Sequence, residues 1–193
     1  MAGAFLYNRY LFTHNKNGDK YEGDYNNGVR TGQGIFIHHD NRKYIGEFKN
    51  GLMDGFGVYS WPDGSKYEGY WIEDKQNGRG KFISSEGDSY DGEWINGEMN
   101  GEGVLRMADG TKFKGNFKKG QRHGKCIEET VDGIRFEGEY KNDKVMIRIS
   151  GENDLNQFIS KLKSCKEKFI EWKKVARTNN VTDYSKPFDI TFP

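Results

Sequence analysis

Cysteine is scarce in this chain: 193 residues hold two, Cys126 and Cys165. That is too few for a disulfide framework and points to a reducing, intracellular setting. Charge of one sign is also missing, since 30 Lys and Arg face 29 Asp and Glu. A net charge of +1 provides no general attraction for nucleic acid or anionic lipid. No apolar run approaches the roughly 20 residues that span a bilayer. The opening Met1-Ala2-Gly3-Ala4-Phe5 has no basic region followed by an apolar stretch, so no secretory leader is expected. Hydrophobic residues make up only 34% of the chain. A large conventional core is therefore excluded.

What is present is aromatic. Phe, Trp and Tyr reach 15%, whereas a disordered polar chain would be poor in them. They are arranged in a pentad, aromatic-x-Gly-x-aromatic, at Tyr21–Tyr25, Tyr44–Phe48, Tyr67–Trp71, Tyr90–Trp94, Phe113–Phe117 and Phe136–Tyr140. The pentads begin 23 residues apart with no insertion. A fixed period of that length is the signature of a repeat architecture.

Each unit carries two turn signals. Asn27-Gly28, Asn50-Gly51 and Asn96-Gly97 follow the pentad closely; Asp63-Gly64, Asp109-Gly110 and Asp132-Gly133 come near the end of the unit. Such pairs are strong short-turn signals because tight turns need positive φ. Two turns per unit leave two short strands, hence a continuous antiparallel meander. In the first strand, positions one, three and five share a face, bearing aromatic, glycine, aromatic. The opposite face is mainly polar, as in Glu22/Asp24 and Asp91/Glu93. The second strand carries Gly32/Gly34, Gly55/Gly57, Gly78/Gly80 and Gly101/Gly103, then Phe36, Tyr59, Phe82 or Leu105 on the same face. Strand glycines need a packing reason; here they make room for rings of the neighbouring strand to lie flat on a sheet that has no second layer.

This pattern resembles the MORN repeat, whose unit reads Tyr-x-Gly-x-Trp, Asn-Gly, Gly-x-Gly, Asp-Gly. Unit four fits closely, with Tyr90, Gly92, Trp94, Asn96-Gly97, Gly101-Glu102-Gly103 and Asp109-Gly110. The resemblance covers roughly residues 17–149. It implies a mostly β fold, an elongated single-layer meander of hairpins, and scaffold or adaptor work at cytoskeleton, cilium or membrane in the cytoplasm. Some units depart from the pattern. Glu73-Asp74 replaces Asn-Gly in unit three, so that hairpin is the expected irregular point. Cys126 replaces a glycine in unit five. Asp143 and Ile147 replace two in unit six, where the array ends.

The flanks differ from the repeats. Residues 1–20 read as a degenerate half-repeat, with Phe5, Tyr7, Leu11 and Phe12 supplying a strand that covers the first edge. Residues 21–149 hold six units, the last degenerate. In residues 150–180, Leu155, Phe158, Leu162, Cys165, Phe169, Trp172 and Ala176 recur at helical spacing among lysines. They predict an amphipathic helix about 37 Å long for about 25 residues. Its readings are a cap on units five and six, an occupant of the aromatic groove, or a dock for another chain or a membrane. Residues 181–193 form an extended tail in which Phe188, Ile190 and Phe192 alternate.

Catalytic chemistry finds no constellation. His38 and His39 are adjacent and point to opposite strand faces, so they share no metal. Cys126 lies near His123 and Lys125 but stands at a repeat glycine position, and it reads first as a small substitute for glycine. The Gly-x-Gly pairs lie inside strands and not at a helix N-terminus, unlike a phosphate loop. No cofactor, metal or catalytic residue is expected. The binding candidates are the fifth-position rings Tyr25, Phe48, Trp71, Trp94 and Phe117, expected to be partly exposed, with Tyr59 and Phe82. They would line a groove for an extended or helical protein segment. The alternative is a phosphoinositide or membrane surface held by Lys49, Lys118, Lys119 and Lys141.

Overall fold

A computed structural model describes residues 8–14, 16–131, 133, 135–147 and 188–190. They form one sheet. Its strands are β1 (Asn8–His14), β2 (Lys20–Asn26), β3 (Val29–Ile37), β4 (Lys43–Lys49), β5 (Leu52–Ser60), β6 (Lys66–Ile72) and β7 (Lys75–Ile83). They continue as β8 (Ser89–Ile95), β9 (Glu98–Arg106), β10 (Lys112–Lys118), β11 (Gln121–Glu129), β12 (Arg135–Lys141), β13 (Lys144–Ile147) and β14 (Phe188–Ile190). Spatial order follows sequence order throughout and the pairings are antiparallel, from β1 on β2 to β13 on β14. The meander is the one expected from two turns per unit. β1 carries Leu11 and Phe12 on the first edge, and part of the tail supplies β14 on the last. The expected helix of residues 150–180 lies outside the described residues, as do Phe5 and Tyr7.

Within each hairpin the turn takes positive φ at both central residues, as at Asn27 (49°) and Gly28 (78°). This is the two-residue geometry whose twist matches that of the strands it joins. Glu73-Asp74 does not interrupt the series, contrary to the expectation of an irregular hairpin: φ is 46° and 65° there. The reason is an extra hydrogen bond. Every turn except the first donates its second N–H to a carbonyl one repeat back, as Gly51 does to Arg30 at 2.9 Å and Asp74 to Met53 at 3.0 Å. The Asp74 carboxylate additionally accepts the Met53 N–H at 2.8 Å, offsetting the strain of a side chain in the left-handed region. Asp143 does the same with Arg122, at 3.0 Å.

The two glycines of each Gly-x-Gly pair have different jobs. A seven-residue strand faces a nine-residue one, as β6 faces β7, and the excess is taken up in a bulge where register jumps from Gly69↔Gly80 to Trp71↔Gln76. The first glycine sits in that bulge with positive φ, for example 78° at Gly78. The second makes room for a ring: a Cβ on Gly80 would lie 2.2 Å from the Tyr67 hydroxyl. Acidic residues of the opposite face help close the bulge, since Glu47 accepts the Phe56 N–H at 3.0 Å. They are therefore more than a solvated surface.

The core is the row of rings itself. Tyr21, Tyr44, Tyr67, Tyr90 and Phe113 are buried, and the tyrosine hydroxyls donate to carbonyls three residues on, from 3.0 Å at Asp24 to 3.2 Å at Tyr70. In unit five the ring is Phe113, which has no hydroxyl, and Cys126 occupies the place glycine holds elsewhere. The cysteine is buried and its thiol is pushed up to about 11, first by burial. It is thus a packing residue holding its proton at neutral pH.

Burial of these phenols sets an alkaline limit. Tyr21 is pushed up to about 12, by burial first and then by neighbouring Tyr25. Tyr44, Tyr67 and Tyr90 shift the same way with burial the leading cause. The folded state holds these protons more tightly than the unfolded chain, whose phenols titrate near 10. The contribution is fully present below pH about 10 and is lost as pH rises through 12. We expect the tyrosinate absorbance at 295 nm to reach its full value only together with loss of near-UV circular dichroism. Full ionisation of all the tyrosines with the fold intact would contradict this.

Candidate functional site

Fifth-position rings follow their pentads onto the same face, but not into partial exposure. Phe48, Trp71, Trp94 and Phe117 are only 3–7% exposed; of the five candidates only Tyr25 is half-buried. The cause is their place between repeats. Trp71 meets its own Tyr67 edge-to-face at 5.1 Å and Tyr44 of the preceding unit at 5.5 Å. The contacts run Tyr25–Tyr21–Phe48–Tyr44–Trp71–Tyr67–Trp94–Tyr90–Phe117–Phe113–Tyr140, with centroids 4.8–5.5 Å apart and planes 77–89° apart. Edge-to-face pairs are worth about 0.5–1.5 kcal/mol each beyond burial. The Trp94 indole N–H also donates to Gly80 O of the preceding unit at 3.0 Å. These rings bolt one repeat to the next.

On the ring-bearing face the accessible apolar surface is a second tier laid on that floor. Phe36, Met53, Trp61, Phe82, Met99 and Leu105 are half-buried and packed against the core. Of the other two sequence candidates, Phe82 belongs to this tier and Tyr59 is buried beneath it, with Trp61 at 4.6 Å. Residues at the tenth position of each unit were missed from sequence. They are Arg30, Met53, Gln76, Met99 and Arg122, all half-buried. The signal existed: across a two-residue turn the tenth residue pairs with the fifth-position ring, as Trp71 with Gln76.

The tier opens into a depression of about 550 Å³ over units one to three. Phe36, Phe48, Met53, Tyr59, Trp61 and Trp71 form its apolar wall, and Arg30, His38, Arg42, Asp74 and Gln76 its polar groups. Arg30 lies over the rings of Phe36 at 4.4 Å, Phe48 at 5.3 Å and Tyr21 at 5.7 Å. Arg42 is paired with Asp40 at 2.7 Å. Burial, then Arg42, lowers the His38 pKa, so the ring is neutral at pH 7.

Lys49, Lys118, Lys119 and Lys141 are exposed at hairpin tips, spread along the rim with Glu73, Asp74 and Glu98, which are exposed too. Among the described residues no three His, Cys, Asp or Glu side chains converge as a metal site. Among them, too, no helix is long and apolar enough to cross a membrane.

A one-layer sheet built from 23-residue hairpins bolted by aromatic rings defines a β-repeat protein. The MORN repeat family model matches residues 21–41, 44–66, 67–89, 90–112 and 113–135, five consecutive copies, and the chain belongs to the MORN repeat family. The sixth expected unit, beginning at Phe136, falls beyond the matched residues. No curated protein matches the chain. Among the solved structures with a loose likeness to the chain are two peptide complexes. One is the TCP domain of SAS-4 from Drosophila melanogaster, in complex with a proline-rich motif of Ana2: 16% identity, TM-score 0.44, covering 69% of this chain and 73% of that one. The other is the TCP10 domain of CPAP from Danio rerio, in complex with a STIL peptide: 15% identity, TM-score 0.33, covering 72% and 77%. At that distance neither bears on function.

Proposed function

We propose that the chain is a non-catalytic protein-interaction scaffold whose ring-bearing face grips a segment of a partner protein. The observation that carries this is the half-buried second tier, with its depression, on a face that already provides a rigid aromatic floor. Tyr25, Phe48, Tyr59, Trp71, Trp94 and Phe117 contribute as that floor, and Phe82, Trp61 and Met53 as the contact layer. Aromatic anchors on a rigid base are the common form of a binding hot spot. Association with a cytoskeletal, ciliary or membrane structure would follow from the protein to which the captured segment belongs. The anionic-lipid reading has no comparable support, because the lysine rim mixes both signs.

The test uses substitutions the repeat already tolerates. Ser84 stands at the place of Trp61, and Gln76 at the place of Met53, one unit on. The double variant Trp61→Ser/Met53→Gln is expected to fold like the parent and to lose the proteins that the parent captures from its native cell. An identical set of captured proteins at equal yield would overturn the proposal.

A further inference from the structure

Arg30 and Arg122 occupy the same place, the tenth, in units one and five, yet their surroundings differ. Arg122 lies over Tyr140 at 4.6 Å and its Nε donates to the Asp143 carboxylate at 3.0 Å. The residue equivalent to Asp143 in the unit after Arg30 is Gly51. Arg30 therefore has only the Gly51 carbonyl, which accepts from Nη2 at 2.7 Å. Among the described residues no carboxylate lies within ion-pair distance of it. The array has thus built the same ring-stacked guanidinium twice, once with an internal carboxylate and once without.

The unmatched copy faces the depression. Its charge is not cancelled there: the Asp40 carboxylate is already paired with Arg42 at 2.7 Å, and His38 is held neutral by burial and by Arg42. Asp74 stands in unit three, two repeats on from Arg30, and its carboxylate accepts the Met53 N–H at 2.8 Å. A half-buried guanidinium over aromatic faces is a strong site for a planar carboxylate, since its remaining donors are fixed in direction and poorly hydrated. Beside it, Phe36, Tyr59 and Trp61 offer an apolar wall.

Resting on the reading of this face as a peptide-binding surface, we propose that the depression takes an extended segment with an acidic side chain next to a large apolar one. The carboxylate takes the place at Arg30 that Asp143 takes at Arg122. The apolar group lies against Trp61 and Phe36.

A displayed library of random dodecapeptides selected on the full chain tests this. Enriched binders are expected to carry Asp or Glu beside an aromatic or aliphatic residue. Two variants read the carboxylate contact, each borrowed from another unit. Arg30→Met copies Met53 and Met99; Gly51→Asp copies Asp143 after Asn142, with only Val29 at 3.6 Å near a Cβ and a φ of +84° in the left-handed region that Asp143 takes at 64°. Each is expected to weaken the selected peptides at least tenfold while remaining folded, Gly51→Asp by giving Arg30 an internal carboxylate. Affinity for the parent chain is expected to fall with salt. Binders that lack acidic residues and bind both variants as well as the parent, while losing affinity for Trp61→Ser/Met53→Gln, would overturn this inference alone. Failure to enrich any peptide on the parent over Trp61→Ser/Met53→Gln would overturn it together with the peptide-binding reading of the face.

Discussion

Trp71→Ala is expected to destabilise the array by about 3–5 kcal/mol, the usual cost of emptying a large aromatic site in a core. For a chain of this size that lowers the melting temperature on the order of 10 °C. The ring is 4% exposed and touches Tyr44 of one unit and Tyr67 of the next, so its loss uncouples units as well as leaving a cavity. In a linear array, stability is close to a sum of unit and interface terms. Removing one interface should separate the melting of units one and two from that of the rest. Trp71→Phe should be far milder, because Phe48 and Phe117 fill the same place, leaving a smaller cavity and the loss of the indole hydrogen bond to Gly57 O at 3.4 Å. Urea unfolding followed by tryptophan fluorescence checks both. An unchanged midpoint for the alanine variant would contradict the bolt.

Gly57→Ala is the second large effect. The new Cβ would lie 2.3 Å from the Tyr44 hydroxyl and 2.4 Å from its ring carbons. Tyr44 is fully buried, with Phe48 and Trp71 against it at 5.1 and 5.5 Å, so it has nowhere to go. Overpacking of this kind costs about 1–3 kcal/mol, and more where the neighbour is fixed. Gly64→Ala differs in mechanism: nothing lies within 4 Å of its Cβ, and only the φ of +94° opposes the change. Unit five, with Phe113 opposite Cys126, indicates how the clash is relieved. Combining Gly57→Ala with Tyr44→Phe should cost less than the sum of the two, a coupling that a double-mutant cycle reads directly.

The period, the turns and the meander were legible because each rests on local chemistry: Asn-Gly needs positive φ, and the pentad alternates. Glu73-Asp74 misled because the hydrogen bond that stabilises it reaches Met53, a full repeat back, and no local pattern records that. The distinct roles of Gly78 and Gly80 were hidden for a related reason. Alternation puts both on one face, and only the mismatch between a seven- and a nine-residue strand shows which one is the bulge. Trp71 and Trp94 looked like binding anchors because period-two counting fixes the face of a side chain but not its depth. Depth came from the neighbouring repeat, whose first ring closes over them. Arg30 was missed although the two-residue turn makes it the hairpin partner of Tyr25, and its missing carboxylate emerges only by comparing Gly51 with Asp143.

Melting Trp61→Ser and Trp71→Ala side by side tests most directly whether the ring row is the core and the tier above it the contact surface. Trp61, only half-buried, replaced by the residue found at Ser84 should cost no more than about 1 kcal/mol. Trp71→Ala should fall on the order of 10 °C. If Trp61→Ser unfolds the array while Trp71→Ala melts with the parent, floor and surface have been assigned the wrong way round.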